Sequence, residues 1–157
     1  MKRRFYLLAG GIVIVIAVIV VLLTRQGANS NPPASGWNAT DPQGLMIPRW
    51  FLNSLVLDGK KVVLGDKLLN LQFEENGNVN GEGGCNSFFA TYQVSSDGKL
   101  IFGPVGSTKM ACADGMELEN SYFTAISRVA QFRTADGQVT LASADGKTVL
   151  TFNRPPK

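Results

Sequence analysis

Hydrophobic and polar positions divide the chain into three stretches of different character. From Phe5 to Leu23 it reads FYLLAGGIVIVIAVIVVLL, nineteen residues without a charge. A helix of that length spans roughly 28 Å, close to the ~30 Å hydrocarbon core of a bilayer. In lipid every backbone group must bond internally, so an unbroken helix is predicted. From Thr24 to Pro48 Gly, Asn, Pro and Ser dominate, and too few apolar residues are present to bury a core. From Arg49 onward short apolar runs alternate with turn residues. Trp50–Val56 leads into Asp58-Gly59. Leu69, Leu71 and Phe73 alternate with Asn70, Gln72 and Glu74, the period of a half-buried strand. Asn76-Gly77 turns the chain toward Val79, and Asp97-Gly98 joins Cys85–Val94 to Leu100–Phe102. Gln138–Ala142 and Thr148–Phe152 flank Asp145-Gly146, a hairpin signal.

One segment departs from this rhythm. Leu118, Tyr122, Ala125, Ile126 and Val129 recur at helical spacing, with Glu119, Ser121 and Arg128 on the other side. Asp114 and Glu117 have the spacing of a capping box. These features predict a helix over 117–129 whose apolar stripe packs on an antiparallel sheet. The expected fold is mainly β (α+β): a small curved antiparallel sheet or incomplete β-barrel with one packed helix, preceded by an N-terminal transmembrane helix. The organisation is then a cytoplasmic basic stub (1–4), a transmembrane anchor (5–23), a flexible tether (24–48) and an exported domain (49–157).

Charge fixes the orientation. Lys2, Arg3 and Arg4 precede the apolar run and Arg25 stands alone after it, so the N-terminus is expected in the cytoplasm and the remainder outside. A cleaved signal peptide would have a shorter apolar region and a small-residue cleavage site. Here Thr24-Arg25-Gln26 follows directly, and Ala28-Asn29-Ser30 is a poor site. Trp37 is positioned to touch the headgroup region or dock on the domain, and Asn38-Ala39-Thr40 fits a short glycosylation pattern. The formal charge of +3 is an effect of the anchor, because 11 basic and 12 acidic residues remain beyond Arg25. No dense basic face for phosphate contacts remains, so nucleic acid is not an expected partner.

Inventory excludes several chemistries. The chain has no histidine, which removes Ser-His-Asp, Cys-His and His-based zinc sites. Gly81-Glu82-Gly83-Gly84 lacks the glycine spacing and the βαβ surroundings of a dinucleotide loop, and it reads as a backbone bend or bulge. Glu74, Glu75 and Glu82 are expected as solvated carboxylates rather than a glycosidase pair. No catalytic, metal or cofactor site is predicted. Cys85 and Cys112, an even pair in an exported domain, suggest a structural disulfide; a redox-active pair is the alternative, although close C-x-x-C spacing is absent.

Taken together, residues 50–152 resemble the META domain family (the HslJ-like heat-shock protein family). The resemblance is carried by Trp50, Phe73, Val79-Asn80-Gly81, Gly84-Cys85-Asn86 with Phe88 and Tyr92, Thr108-Lys109-Met110-Ala111-Cys112, Glu119, Phe123 and Leu150-Thr151-Phe152. It implies a small, incompletely closed antiparallel barrel or strongly curved sheet with one helix. It implies no enzymatic activity, and an envelope setting connected with stress response, antibiotic tolerance or secretion. Gly84, Asn86, Thr108 and Met110 are then family-motif residues that hold the fold or bind. Many such proteins are lipidated, whereas this chain carries an apolar helix instead. The expected function is a membrane-tethered, extracytoplasmic, non-catalytic module with a protein partner in the envelope. The alternative is a small-molecule or lipid binder using the barrel interior.

Overall fold

The computed structural model describes residues 42–46 and 49–155. The expected anchor, the tether up to Asp41, Trp37 and the glycosylation pattern lie outside the described residues. A short 3-10 turn, Pro42–Leu45, precedes ten strands and one helix. The strands are β1 (Trp50–Leu57), β2 (Lys60–Val62), β3 (Asn70–Phe73), β4 (Asn78–Glu82), β5 (Ser87–Val94), β6 (Leu100–Phe102) and β7 (Gly106–Ser107), then β8 (Val129–Ala135), β9 (Gln138–Ser143) and β10 (Val149–Asn153). The helix α1 spans Met116–Ser127.

All pairings between these strands are antiparallel, in the order β6-β5-β4-β3-β1-β10-β9-β8, with β2 added to β1 and β7 to β5. The two ends of this path meet. Lys99 bridges to Gln131, and the Phe132 N–H donates to the Gly98 carbonyl at 2.8 Å, so the sheet is a nearly closed barrel. Turn chemistry explains most of the connections. Asp58 and Gly59, and again Asp136 and Gly137, all have positive φ (52°, 75°, 51° and 77°), as a two-residue type I′ hairpin requires.

Alternating side chains fill the interior. Trp50, Leu55, Leu71, Val79, Phe88, Leu100, Phe132, Leu141, Leu150 and Phe152 are essentially inaccessible to solvent. Phe73 packs edge-on against Tyr92 and stacks with Phe102. Tyr122 and Ile126 of α1 complete this core, and the Tyr122 hydroxyl donates to the Asn70 carbonyl at 3.2 Å. The 3-10 turn is tied on by the Trp50 indole N–H, which donates to the Leu45 carbonyl at 3.0 Å.

The mainly β class with one packed helix is therefore as expected from the sequence, and several boundaries move. The strand expected over 85–94 begins only at Ser87, because Cys85 and Asn86 lie in the bend before it. The helix ends two residues early: Val129 opens β8, so three strands rather than a hairpin follow it. A β-branched residue at the end of an amphipathic stripe fits either element, and pairing with Ser143 decides for the strand. The expected capping box does not form. The N-cap is Gly115 at φ 98°, without a side-chain hydrogen bond.

The turn that closes the barrel carries its own ion pair. Asp97 accepts from Ser95 Oγ at 2.5 Å and pairs with Lys99 Nζ at 2.8 Å. These bonds, that to Lys99 foremost, hold the exposed Asp97 carboxyl down at about 2. A lowered carboxyl stabilises the fold above the ordinary carboxylate range, and that contribution is lost as pH falls through about 2. Exposure and salt keep it small. Carbon-detected NMR titration of Asp97 should give a midpoint near 2, moving up toward the ordinary value in Lys99→Met.

Candidate functional site

The two sequence motifs singled out above, Gly84-Cys85-Asn86 and Thr108 to Cys112, meet at one place, and the side chain that joins them is Glu119. Glu119 sits in the first turn of α1, yet it is only 4 % exposed. A buried carboxylate needs donors. One oxygen, Oε2, accepts the backbone N–H groups of Cys85 at 3.2 Å and Asn86 at 2.5 Å. The other, Oε1, accepts from Asn86 Nδ2 at 2.8 Å. The position near a helix N-terminus adds a favourable field for negative charge.

Asn86 extends the network to the second motif. Its Oδ1 accepts from the Met110 N–H at 2.7 Å and from Thr108 Oγ1 at 2.8 Å. Its Nδ2 also reaches the Met110 carbonyl at 3.3 Å. The Asn86 carbonyl accepts from the Gly83 N–H, and the Thr108 N–H donates to the Ser87 carbonyl, so the strand before and after the bend is held as well. Cys85 and Cys112 are joined in a disulfide with 6.1 Å between Cα atoms, pinning the same two segments covalently.

Two glycines make the approach feasible. Gly84 has φ 107°, a conformation L side chains rarely adopt, and it turns the following N–H groups toward the helix. A Cβ at Gly83 would lie 2.6 Å from the Phe123 ring and 3.1 Å from Glu119 Cγ, so a larger residue would push α1 away.

Of the residues expected from the sequence, Gly84, Cys85, Asn86, Thr108, Met110 and Cys112 are thus brought together. Met110 contributes its backbone, while its side chain is exposed. Glu119 was expected on the solvent side of the helix, and the structure corrects this. The spacing that could have revealed it is Glu119–Tyr122–Ile126, a three-then-four step that places the carboxylate on the buried stripe. Of the three carboxylates expected in solvent, Glu75 and Glu82 are exposed. Glu74 is half-buried and accepts from Asn80 Nδ2 at 2.6 Å and Asn76 Nδ2 at 3.1 Å.

Burial drives the Tyr122 phenol well above its usual range, so it stays a hydrogen-bond donor. Among the described residues no group of three or more carboxylates or cysteines could hold a metal ion.

A small, nearly closed antiparallel barrel with one helix, its bend before β5 tied to that helix by a buried glutamate, defines the class of domain. The META domain model matches residues 44–156, and the chain belongs to the META domain family. Among solved structures it is similar to an NMR structure of a protein from Burkholderia xenovorans, 27 % identical, with a TM-score of 0.58, over 80 % of this chain and 97 % of that one. A second NMR structure is 29 % identical with a TM-score of 0.55, over 73 % and 94 % of the two chains. A DUF4847 family protein from Bacteroides vulgatus shares the fold at 14 % identity and a TM-score of 0.55, over 72 % and 96 %. No curated protein matches the chain.

Two variants test the node. In Glu119→Gln the new NH2 must face either two backbone N–H groups or the Asn86 amide NH2, and turning Asn86 over would leave the Met110 N–H facing a donor. No arrangement satisfies every group, so a loss of about 2–4 kcal/mol is expected in denaturant unfolding. In the double variant Cys85→Ser/Cys112→Ser the freed loop gains entropy, and stability should fall by about 3–4 kcal/mol, with the wild type matching it under reductant.

Proposed function

We propose that this chain is a membrane-tethered, extracytoplasmic, non-catalytic module that acts by binding a protein of the cell envelope, in its upkeep under stress. The observation that carries this reading is the state of the motif's polar groups. Both Glu119 oxygens and both polar atoms of the Asn86 amide are engaged by the chain's own groups. They hold the fold and are not free to turn over a substrate. Recognition is then left to the outer surface.

Further support comes from composition. A structural disulfide suits an oxidising compartment. The uncharged run Phe5–Leu23 behind Lys2-Arg3-Arg4 suits an anchor with its N-terminus inside. The interior-ligand alternative finds no support in the packing, since aromatic and branched side chains occupy the barrel.

Fusions of alkaline phosphatase and of green fluorescent protein after residue 40 and after residue 157 test the placement. Phosphatase activity with dark fluorescent fusions is expected at both points; the reverse would place the domain in the cytoplasm. In-cell photocrosslinking from exposed strand positions should then trap a reproducible envelope protein, while positions in the buried core should not. Uniformly blank lanes, or turnover in a broad hydrolase screen that one polar substitution abolishes, would overturn the reading.

A further inference from the structure

The outer face of β4 and β5 carries a feature that neither the fold nor the buried node uses. Along β5 burial alternates strictly, and the outward positions are Ser87, Phe89, Thr91 and Gln93. Three are polar; Phe89 is 65 % exposed. Single exposed apolar residues are ordinary. Phe89 differs in how it is held.

Its ring lies over Gly106 of β7, the residue paired with it across the sheet. A Cβ at Gly106 would come within 2.5 Å of the ring's Cζ. Only glycine lets the ring settle on the backbone there. The tip of the ring therefore rests against the β7 backbone, and the rest of the side chain stays open to solvent.

On the other side of β5 from Gly106, β4 brings neutral hydrogen-bonding groups into the same cleft. Asn80 stands opposite Phe89, and Asn78 opposite Thr91, in the β4–β5 register. Asn80 donates one amide hydrogen to Glu74 Oε1 at 2.6 Å, which sets the plane of its amide and leaves the carbonyl oxygen as an acceptor. Phe89, Asn78, Asn80, Thr91, Glu74 and Pro104 line a cleft of about 460 Å3 that opens to solvent.

A flat apolar ring edged by amide and hydroxyl groups at strand spacing matches the two-sided chemistry of a sugar. The C–H face of a pyranose covers an aromatic ring, while its equatorial hydroxyls point sideways as donors and acceptors. A lipid tail would leave the amides without partners, and a polyanion would meet Glu74 with no cation among the lining residues. We propose that this cleft is a binding subsite for a neutral glycan chain, with Phe89 stacking under one sugar ring and Asn78, Asn80 and Thr91 bonding its hydroxyls. The site does not depend on where the domain resides or on its protein partner.

Saturation-transfer NMR on the full-length chain in lipid nanodiscs, with cellotetraose, maltotetraose and chitotetraose as probes, tests it. At least one probe should give a saturable signal, and Phe89→Ala should weaken it about tenfold or more, the loss expected for one stacked ring with its hydrogen bonds. Phe89→Trp should retain binding and Asn80→Ala should weaken it, with thermal unfolding of each variant reported alongside. Because Phe89 is exposed, its replacement leaves the core untouched. If all three probes stay silent at about 10 mM, or if Phe89→Ala and Asn80→Ala bind as the wild type does, the cleft is not a glycan site.

Discussion

The carboxylate of Glu119, sealed under the bend before β5, is the constraint around which this domain is arranged. A buried carboxylate without donors is costly, and so are buried N–H groups without acceptors. At the bend the two needs cancel: the Cys85 and Asn86 N–H groups have no strand partner there and meet the carboxylate instead. The position of α1 follows from that match, since moving the helix outward would strand three donors at once. The position of the 108–112 segment follows in turn, because the same Asn86 amide that donates to Glu119 receives Thr108 and Met110 on its other side. The disulfide acts on a different state. It restricts the unfolded chain, while the hydrogen bonds select one geometry among the folded alternatives.

This division of labour accounts for how a barrel of short strands holds together. Among the described residues the turn before β6 closes onto β8 through the Lys99–Gln131 bridge, with its Phe132–Gly98 hydrogen bond, a thin seam compared with the unbroken ladders of β9 with β10 and β4 with β5. The seam is backed from within by Leu100, Phe102 and Phe132, and the helix packs Tyr122 on Phe88 and Phe152. Aromatic rings make up much of this core.

Much of this was legible in the residues, for identifiable reasons. Asp-Gly and Asn-Gly pairs marked the hairpins because glycine relieves the strain of positive φ, and alternation marked β3 because one face is buried. Asp136-Gly137 carries the same signal, but a helix stripe continued to Val129 leaves the residues before that pair too few to read as a strand, although they form β8. Glu119 was misplaced by the rule that charge faces water. That rule holds when nothing inside can donate, and here a non-local bend supplies three donors that no local window can see. The apparent capping box failed for a related reason: Gly115 at positive φ brings the chain into the helix from a direction in which the Asp114 side chain does not cap it. The expected anchor and the tether up to Asp41 lie outside the described residues, whereas Pro42–Leu45, expected in the flexible tether, forms a 3-10 turn whose Leu45 is buried in the core.

The arrangement also bears on where variation can occur. Substitutions at Gly83, Gly84, Asn86 or Glu119 disturb a shared network, so their effects must be strongly coupled and none can change alone without leaving a buried partner unmatched. Outward positions on β4 and β5 face no such restriction, because their side chains contribute little to the core and their backbone is already paired. A new outward side chain there changes what the surface recognises at almost no cost to folding. Two glycines beside that face are limited by outward side chains of β5: a side chain at 106 would displace the Phe89 ring, and one at 103 would meet Thr91 Oγ1. Phe89 thus differs in its setting from exposed apolar residues such as Val63 and Leu68, which lie in the loop between β2 and β3 rather than on a paired strand.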